Sequence, residues 1–183
     1  MRARLRRLVA CEAGYSLVEL LQVTAILSVV LGSLTAVFVS AMNSEVDMNR
    51  RFTSQQEARL AVDKMRREIH CASALTQTGP LSPTGASASI TITLPSQCPT
   101  AGGTQVNVVY DLQLVSTGRY QLRRAGVRIA DYITDANAFK YAAPATGTLG
   151  TLHVDLPVNV RPNETGKTWR LAADIVLRNT VRL

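Results

Sequence analysis

Glu19 is the residue whose surroundings point most clearly to chemistry, because it is the only ionisable side chain from Leu17 to Met42. The rest of that run consists of apolar and uncharged residues. A carboxylate in a membrane-spanning helix costs about 2.5 to 3.5 kcal/mol at the helix centre and less near the interface. Such a residue usually has a partner and a function, so we expect an ion pair at Glu19.

A short motif surrounds this glutamate. The string Gly14-Tyr15-Ser16-Leu17-Val18-Glu19 follows an arginine-rich leader and precedes a long apolar run. This arrangement resembles the prepilin motif of type IV pilins and type II secretion pseudopilins. In that family a membrane peptidase cuts after the glycine on the cytoplasmic side and methylates the new amine. The resemblance implies cleavage between Gly14 and Tyr15, N-methylation of Tyr15, and a role for Glu19 in subunit assembly. Phenylalanine is commoner than tyrosine at the first mature position.

Each part of the motif also has a physical rationale. Gly14 leaves the neighbouring peptide bond accessible to a protease, since it has no side chain. Cleavage would leave a positive amine at Tyr15, and methylation would keep that charge. Glu19 lies one helical turn later, so it can pair with the amine of a neighbouring subunit. An unpaired charge in lipid is costly, so the formation of this ion pair would favour assembly of the subunits.

Two cysteines lie outside the leader. Cys11 would be removed with residues 1–14, which leaves Cys71 and Cys98. In an oxidising compartment such a pair predicts a disulfide, and two buried free thiols are the alternative. His70 and His153 do not form a ligand array with them, so we expect no metal site.

No constellation of residues predicts catalysis. We find no nucleophile with a base, no paired carboxylates and no phosphate-binding glycine loop, so we expect no catalytic residues and no cofactor. Residues 101–104 read as a connecting loop. Asp131, Asp135 and Asp174 are scattered and are predicted to lie on the solvated surface.

The net charge of +7 falls to +4 without the leader, which leaves sixteen basic and twelve acidic side chains. That charge requires no polyanionic partner. DNA binding has weak support from a cluster of four arginines, for which solvated strand faces are the favoured interpretation: Arg119, Arg123, Arg124 and Arg128. Arg66 and Arg67 are compatible with an anion site, but a solvated helix face is favoured.

The apolar run is long enough to cross a bilayer, because residues 20–41 exceed the roughly 20 residues that a spanning helix needs. The arginines before it favour a cytoplasmic N-terminus and a C-terminal domain outside the cytoplasm. A cleaved secretory signal fits poorly because its apolar region spans only about 7 to 15 residues. An uncleaved signal anchor explains everything except Glu19.

After Met42 the helical pattern becomes amphipathic and is predicted to continue to about Leu75. One stripe of apolar residues should face a core: Ala58, Val62, Met65, Ile69 and Ala72. Gly79, Pro80 and Pro83 then indicate a break. The sequence therefore divides into a leader (1–14), a membrane-spanning helix (15–42), its amphipathic continuation (43–75) and a β-rich domain (76–183).

In the β-rich domain apolar residues alternate with polar ones over five segments, 90–94, 106–114, 120–122, 152–160 and 169–177. Residues 136–150 are predicted to be a strand remnant and a loop. Pro157 indicates an edge strand, because it lacks a donor. A sheet with one apolar face needs a partner, so we expect an α+β fold in which the second half of the helix packs on an antiparallel sheet.

The layout resembles the pilin family along the whole chain, and most closely the J/W class of minor pilins and pseudopilins. Many pilins have a proline within the membrane helix, whereas this chain has Gly32 there. The resemblance implies residence in the inner membrane, then in a pilus or pseudopilus. It implies four partners: a prepilin peptidase, other pilin or pseudopilin subunits, the inner-membrane assembly platform and membrane lipid. The alternatives are a DNA-uptake filament module and a signal-anchored binding protein.

Overall fold

The structure is a computed structural model that describes residues 15–78, 88–162, 164 and 166–179. Contacts within the chain divide it into two units, Met1–Val46 and Asp47–Leu183. Helix α1, Leu17–Cys71, begins in the first unit and continues into the second. The leader and the break from Gly79 to Pro83 lie outside the described residues.

The part of α1 in the first unit is apolar and exposed. Among the described residues, α1 is the one helix long and apolar enough to cross a membrane. None of the residues in its most apolar 18-residue stretch is buried. Several hydroxyl groups in this part donate to carbonyl oxygens three or four residues earlier, as Thr24 and Ser28 do to Leu21 and Ala25. These bonds satisfy the hydroxyl groups within the helix, which suits an apolar medium.

The second unit contains the rest of α1 and a curled antiparallel sheet. The described residues form eight strands: β1 Ala74–Thr78, β2 Ser89–Leu94, β3 Val106–Ser116, β4 Arg119–Arg124, β5 Val127–Ile133, β6 Phe139–Ala142, β7 Thr151–Val158 and β8 Trp169–Val176. Their order is β1-β2-β3-β4-β5-β7-β6, with β8 also paired to β7. The sheet curls until β6 approaches β1, where the amide of Tyr141 donates to the side-chain oxygen of Gln77 across 3.1 Å.

The predicted apolar stripe of α1 forms the contact with the sheet. Ala58, Val62, Met65, Ile69 and Ala72 are all buried. All of them except Ala58 share one core with the inward residues of the strands, among them Ile90, Ile92, Leu94, Tyr110, Leu122, Leu152 and Leu156. The α+β architecture, with a long helix packed on an antiparallel sheet, is therefore confirmed.

The sequence prediction differs from the structure most at the end of the helix and at β5. The helix ends at Cys71 rather than near Leu75, because the amide of Ser73 already donates to Thr93 of β2 and starts β1. Leu75 is buried in the register of β1, opposite Ile92. Strand β5 was not predicted, because its pairing with β4 shifts register between Tyr120 and Leu122 and again before Arg123, which breaks the alternation.

The prediction of an edge strand at Pro157 is wrong. Strand β7 pairs with β8 along its length, and on its other side with β6 and with the end of β5. The amide of Asp155 points to that other side, where it donates to Ala138. Strand geometry repeats every two residues, so the nitrogen of Pro157 faces the same side as the amide of Asp155. It lies between the residues of β7 that pair with β6 and the one that pairs with β5. The missing donor therefore interrupts no ladder bond.

Candidate functional site

The start of α1 carries the motif residues. Tyr15 and Ser16 precede the helix, the amide of Leu20 donates to the carbonyl of Ser16 across 3.1 Å, and Glu19 lies in the first turn. Tyr15 is 80% exposed and Glu19 is exposed too. A carboxylate in the first turn of a helix interacts favourably with the helix dipole. Gly14 lies outside the described residues.

Sequence analysis missed a second role that the same residues allow. Ser16 stands directly before the first helical residue, and Glu19 stands three positions after it. This is the spacing of a capping box, in which serine and glutamate satisfy amides at a helix start. The Ser-x-x-Glu pattern was the available signal. Glu19 can thus stabilise the start of α1 as well as pair with a cation.

The helix segment that follows offers a continuous apolar surface that no other described residue covers. Large apolar side chains there are half to three-quarters exposed, including Leu20, Leu27, Leu34 and Phe38. A Cβ added at Gly32 would meet nothing within 4 Å, so no close packing requires this glycine. Lipid or apolar helices of other chains are the surroundings that suit such a surface.

The structure brings the two predicted cysteines together. Cys71 is the last residue of α1, Cys98 lies in the loop after β2, and a disulfide joins them with 5.9 Å between their Cα atoms. The loop is folded on itself by bonds from the amide of Cys98 to Pro95 and from that of Ala101 to Cys98. The disulfide therefore ties the end of the helix to the loop that connects β2 and β3.

Glu68 forms a buried polar cluster that sequence analysis did not find. It points into the domain, 1% exposed, although the residue lies in a charged stretch of α1. Tyr110 of β3 donates to it across 2.6 Å. Arg124 of β4 also binds it, through Nε at 3.0 Å and through a second nitrogen at 2.8 Å. The only signal in the sequence was a carboxylate next to the apolar stripe, adjacent to Ile69.

Asp131 is the centre of a second cluster, and the prediction that it lies on the solvated surface is wrong. It is 1% exposed and accepts hydrogen bonds from Arg119, Gln121, Arg128 and the amide of Tyr132. Burial raises the pKa of Asp131, but the bonds from Arg119, Tyr132 and Gln121 outweigh that effect and lower the pKa to about 2. The carboxylate stays ionised.

Tyr132 has a strained backbone beside this cluster. Its φ is 60°, a left-handed conformation that costs about 1 to 2 kcal/mol for a residue with a side chain. The guanidinium of Arg119 lies 4.1 Å from the centre of its ring. The carbonyl of Tyr132 accepts from the amide of Asn159. These contacts offset the strain and fix the bulged end of β5.

The arginine cluster is paired rather than free. Arg119 and Arg128 bind Asp131, Arg124 binds Glu68, and Arg123 lies 3.4 Å from Asp111. Each guanidinium therefore has a carboxylate partner, with Asp131 shared by two of them, so most of the positive charge of the cluster is neutralised within the chain and little is left for a phosphate backbone.

The remaining ionisable candidates lie at the surface. Asp135 and Asp174 are exposed, and Asp174 lies 2.6 Å from His153 across the β7 and β8 pair. Within the described part of the chain, no three His, Cys, Asp or Glu residues are grouped so that they could hold a metal ion. Comparison of the chain with models of protein families, with curated proteins and with solved structures gave no match.

Proposed function

We propose that this chain is a structural subunit of a thin filament, a type IV pilus or a type II secretion pseudopilus, stored in the membrane through the first part of α1. The observation that carries the proposal is the position of Glu19. It is the one carboxylate on the apolar segment, and it lies in the first helical turn, four residues after Tyr15. A free amine at Tyr15 of a neighbouring subunit would give it an opposite charge within the apolar medium.

The architecture supports a subunit more than a simple anchored module. A single helix continues from the apolar segment through Cys71, and its second half forms part of the core of the β-domain. Such a helix offers an apolar surface for packing between subunits, while the β-domain stays folded by itself. We place the chain in the J/W class of minor subunits, with a prepilin peptidase, an inner-membrane assembly platform and other pilin-like subunits as its partners.

A signal-anchored binding protein is the second candidate, favoured by the one observation that the exposed apolar helix needs no neighbour other than lipid. It leaves Glu19 with only a capping role. A DNA-uptake filament gains no support from the arginines at 119, 123, 124 and 128, because all four have carboxylate partners.

Mass spectrometry of the protein from envelope membranes of its native host tests the proposal. The expected product starts at Tyr15 and is heavier by one methyl group at its amine. Replacing Gly14 by a bulky residue should leave the precursor uncut, and the same change at Ala13 is the matched control. A mature chain that starts near Asn43, or an intact Met1 start, would exclude the filament subunit.

A further inference from the structure

A cleft of about 520 Å³ opens beside the last two turns of α1. Helix residues Lys64, Arg67 and His70 line it on one side, and Pro99 and Thr100 of the loop after β2 line it on the other. Glu68 and Cys71 complete the lining, and the disulfide of Cys71 to Cys98 ties the helix to the loop on the other side. The volume is typical of pockets that bind small ligands or a few side chains, and a nucleic acid duplex does not fit.

Two of the side chains that line the cleft are permanent cations, Lys64 and Arg67. Lys64, Arg67 and His70 recur every three residues, which places them along one side of the helix. In the described part of the chain neither Lys64 nor Arg67 has a carboxylate within ion-pair distance. The charge of Glu68 is matched by Arg124. The adjacent residues Arg66 and Arg67 therefore differ, since Arg66 pairs with Asp63 across 3.4 Å while Arg67 borders the cleft.

His70 is the third basic side chain on this side of the helix, but its pKa is lowered, so it is mainly neutral at pH 7. Partial burial lowers its pKa, and the charges of Arg178 and Arg66 lower it further. A purely structural reason for cations here would be the helix dipole, whose negative end lies at Cys71. That interaction falls off within the last turn, and Lys64 lies two turns before the end. The dipole therefore does not explain Lys64.

The walls of the cleft are apolar between these charges. Pro99, Cys71 and the methylene stems of Lys64 and Arg67 can pack against an apolar group while the cationic ends hold an anion. An amino-acid carboxylate fits this combination, because Arg and Lys bind carboxylates through charge-assisted hydrogen bonds. We propose that the cleft binds an acidic segment of a partner polypeptide, with one Asp or Glu carboxylate on Lys64 and Arg67 and an adjoining apolar side chain against Pro99 and Cys71.

The test uses the full chain in detergent micelles, labelled with ¹⁵N and titrated with a capped Leu-Glu-Leu-Glu-Leu peptide. Amides of residues 64–71 and 98–100 should shift. The Leu-Gln-Leu-Gln-Leu peptide should leave them unchanged. The double variant Lys64→Gln, Arg67→Gln should weaken binding about tenfold or more. The matched control Arg50→Gln, Lys140→Gln removes the same charge elsewhere and should bind like the parent. Restoring charge with Lys64→Arg, Arg67→Lys should recover most of the affinity.

Glutarate distinguishes a peptide from a small dicarboxylate. It should bind more weakly than the acidic peptide, since it has no apolar side chain to place against Pro99. Equal or tighter binding of glutarate would overturn the peptide assignment. Absence of shifts with the acidic peptide up to roughly 5 mM, or equal weakening in both double variants, would overturn the site itself. Because all residues that line the cleft belong to the second unit, neither result bears on processing at Tyr15.

Discussion

Tyr110 donates a 2.6 Å hydrogen bond from its phenol to the carboxylate of Glu68, and this contact joins β3 to helix α1 within the core. Burial raises the pKa of Tyr110, and the hydrogen bond and charge of Glu68 raise it further. The phenol therefore remains a donor throughout the physiological range. Arg124 of β4 donates to the same carboxylate, so β4 is joined to the helix as well. One buried charge thus fixes how the helix lies on two strands.

Removing Glu68 should destabilise the β-domain strongly. Glu68→Ala leaves the guanidinium of Arg124 without its partner, and breaking a buried pair costs about 3 to 5 kcal/mol. Tyr110→Phe should cost only about 1 to 2 kcal/mol, because Arg124 still neutralises the carboxylate. Urea unfolding in detergent measures both. Asp63→Ala, which breaks the exposed pair with Arg66, is the control and should cost less than about 1 kcal/mol. Equal losses for Glu68→Ala and Asp63→Ala would contradict the assignment.

Asp131 should make the free energy of unfolding of the domain depend on pH in the acidic range. Its folded pKa of about 2 lies below the ordinary value of 3.8. A lowered folded pKa means that the stabilisation is complete above the unfolded value and is lost as the pH falls through the folded value. Unfolding free energy should therefore decline between about pH 4 and pH 2.

The variant Asp131→Asn isolates this effect. It should lower stability at pH 7 by about 2 kcal/mol, since Arg119 and Arg128 lose their charged acceptor. Its stability should also fall less steeply than that of the parent below pH 4. Glu164, whose pKa is also lowered to about 2 by Lys167 and Arg161, titrates in both proteins and cancels in the comparison. Parallel pH profiles would show that Asp131 is not the titrating group.

Periodicity in the sequence predicted which residues face the core, but it did not reveal the buried carboxylates or strand β5. The apolar stripe from Ala58 to Ala72 and the alternating strands were predictable, because each residue's face follows from its own spacing. Glu68 and Asp131 were not, because neither spacing nor residue type shows that a carboxylate is buried against partners on other elements. The partners of Glu68 lie 42 and 56 residues away, and Arg119 lies 12 residues before Asp131. Strand β5 was missed for a related reason, since bulges shift its register.

The disulfide should contribute substantially to stability. Cys71 and Cys98 are separated by 27 residues, and closing a loop of that length in the unfolded chain is worth about 3 to 4 kcal/mol in the chain-entropy model. The double variant Cys71→Ala, Cys98→Ala should lose that amount in urea unfolding. Adding reductant should lower the stability of the parent similarly and leave the variant unchanged. A parent insensitive to reductant would argue against the bond.

The turn between β4 and β5 contains a residue whose replacement should stabilise the protein. Ala125 has a φ of 47° and Gly126 a φ of 80°, so both central residues are left-handed, as in a type I′ turn. Asparagine tolerates this conformation better than alanine. Ala125→Asn should therefore raise the free energy of unfolding by about 0.5 to 1 kcal/mol, whereas Ala130→Asn, in the core, should lower it. A loss at position 125 would contradict the turn geometry.

Glu19 separates the two candidate functions. For an anchored module, Glu19→Val removes a polar group from the spanning helix and should ease membrane residence by up to a few kcal/mol. For a filament subunit, the same change leaves the Tyr15 amine of a neighbour unmatched in lipid, and a broken buried pair typically costs about 3 to 5 kcal/mol. We expect the variant to be inserted and cut after Gly14, yet to be absent from sheared or cross-linked filaments. Gln22→Val, which removes an uncharged polar group one turn later, is the matched control and should assemble normally. Incorporation of Glu19→Val at the level of the parent would show that no pairing role exists.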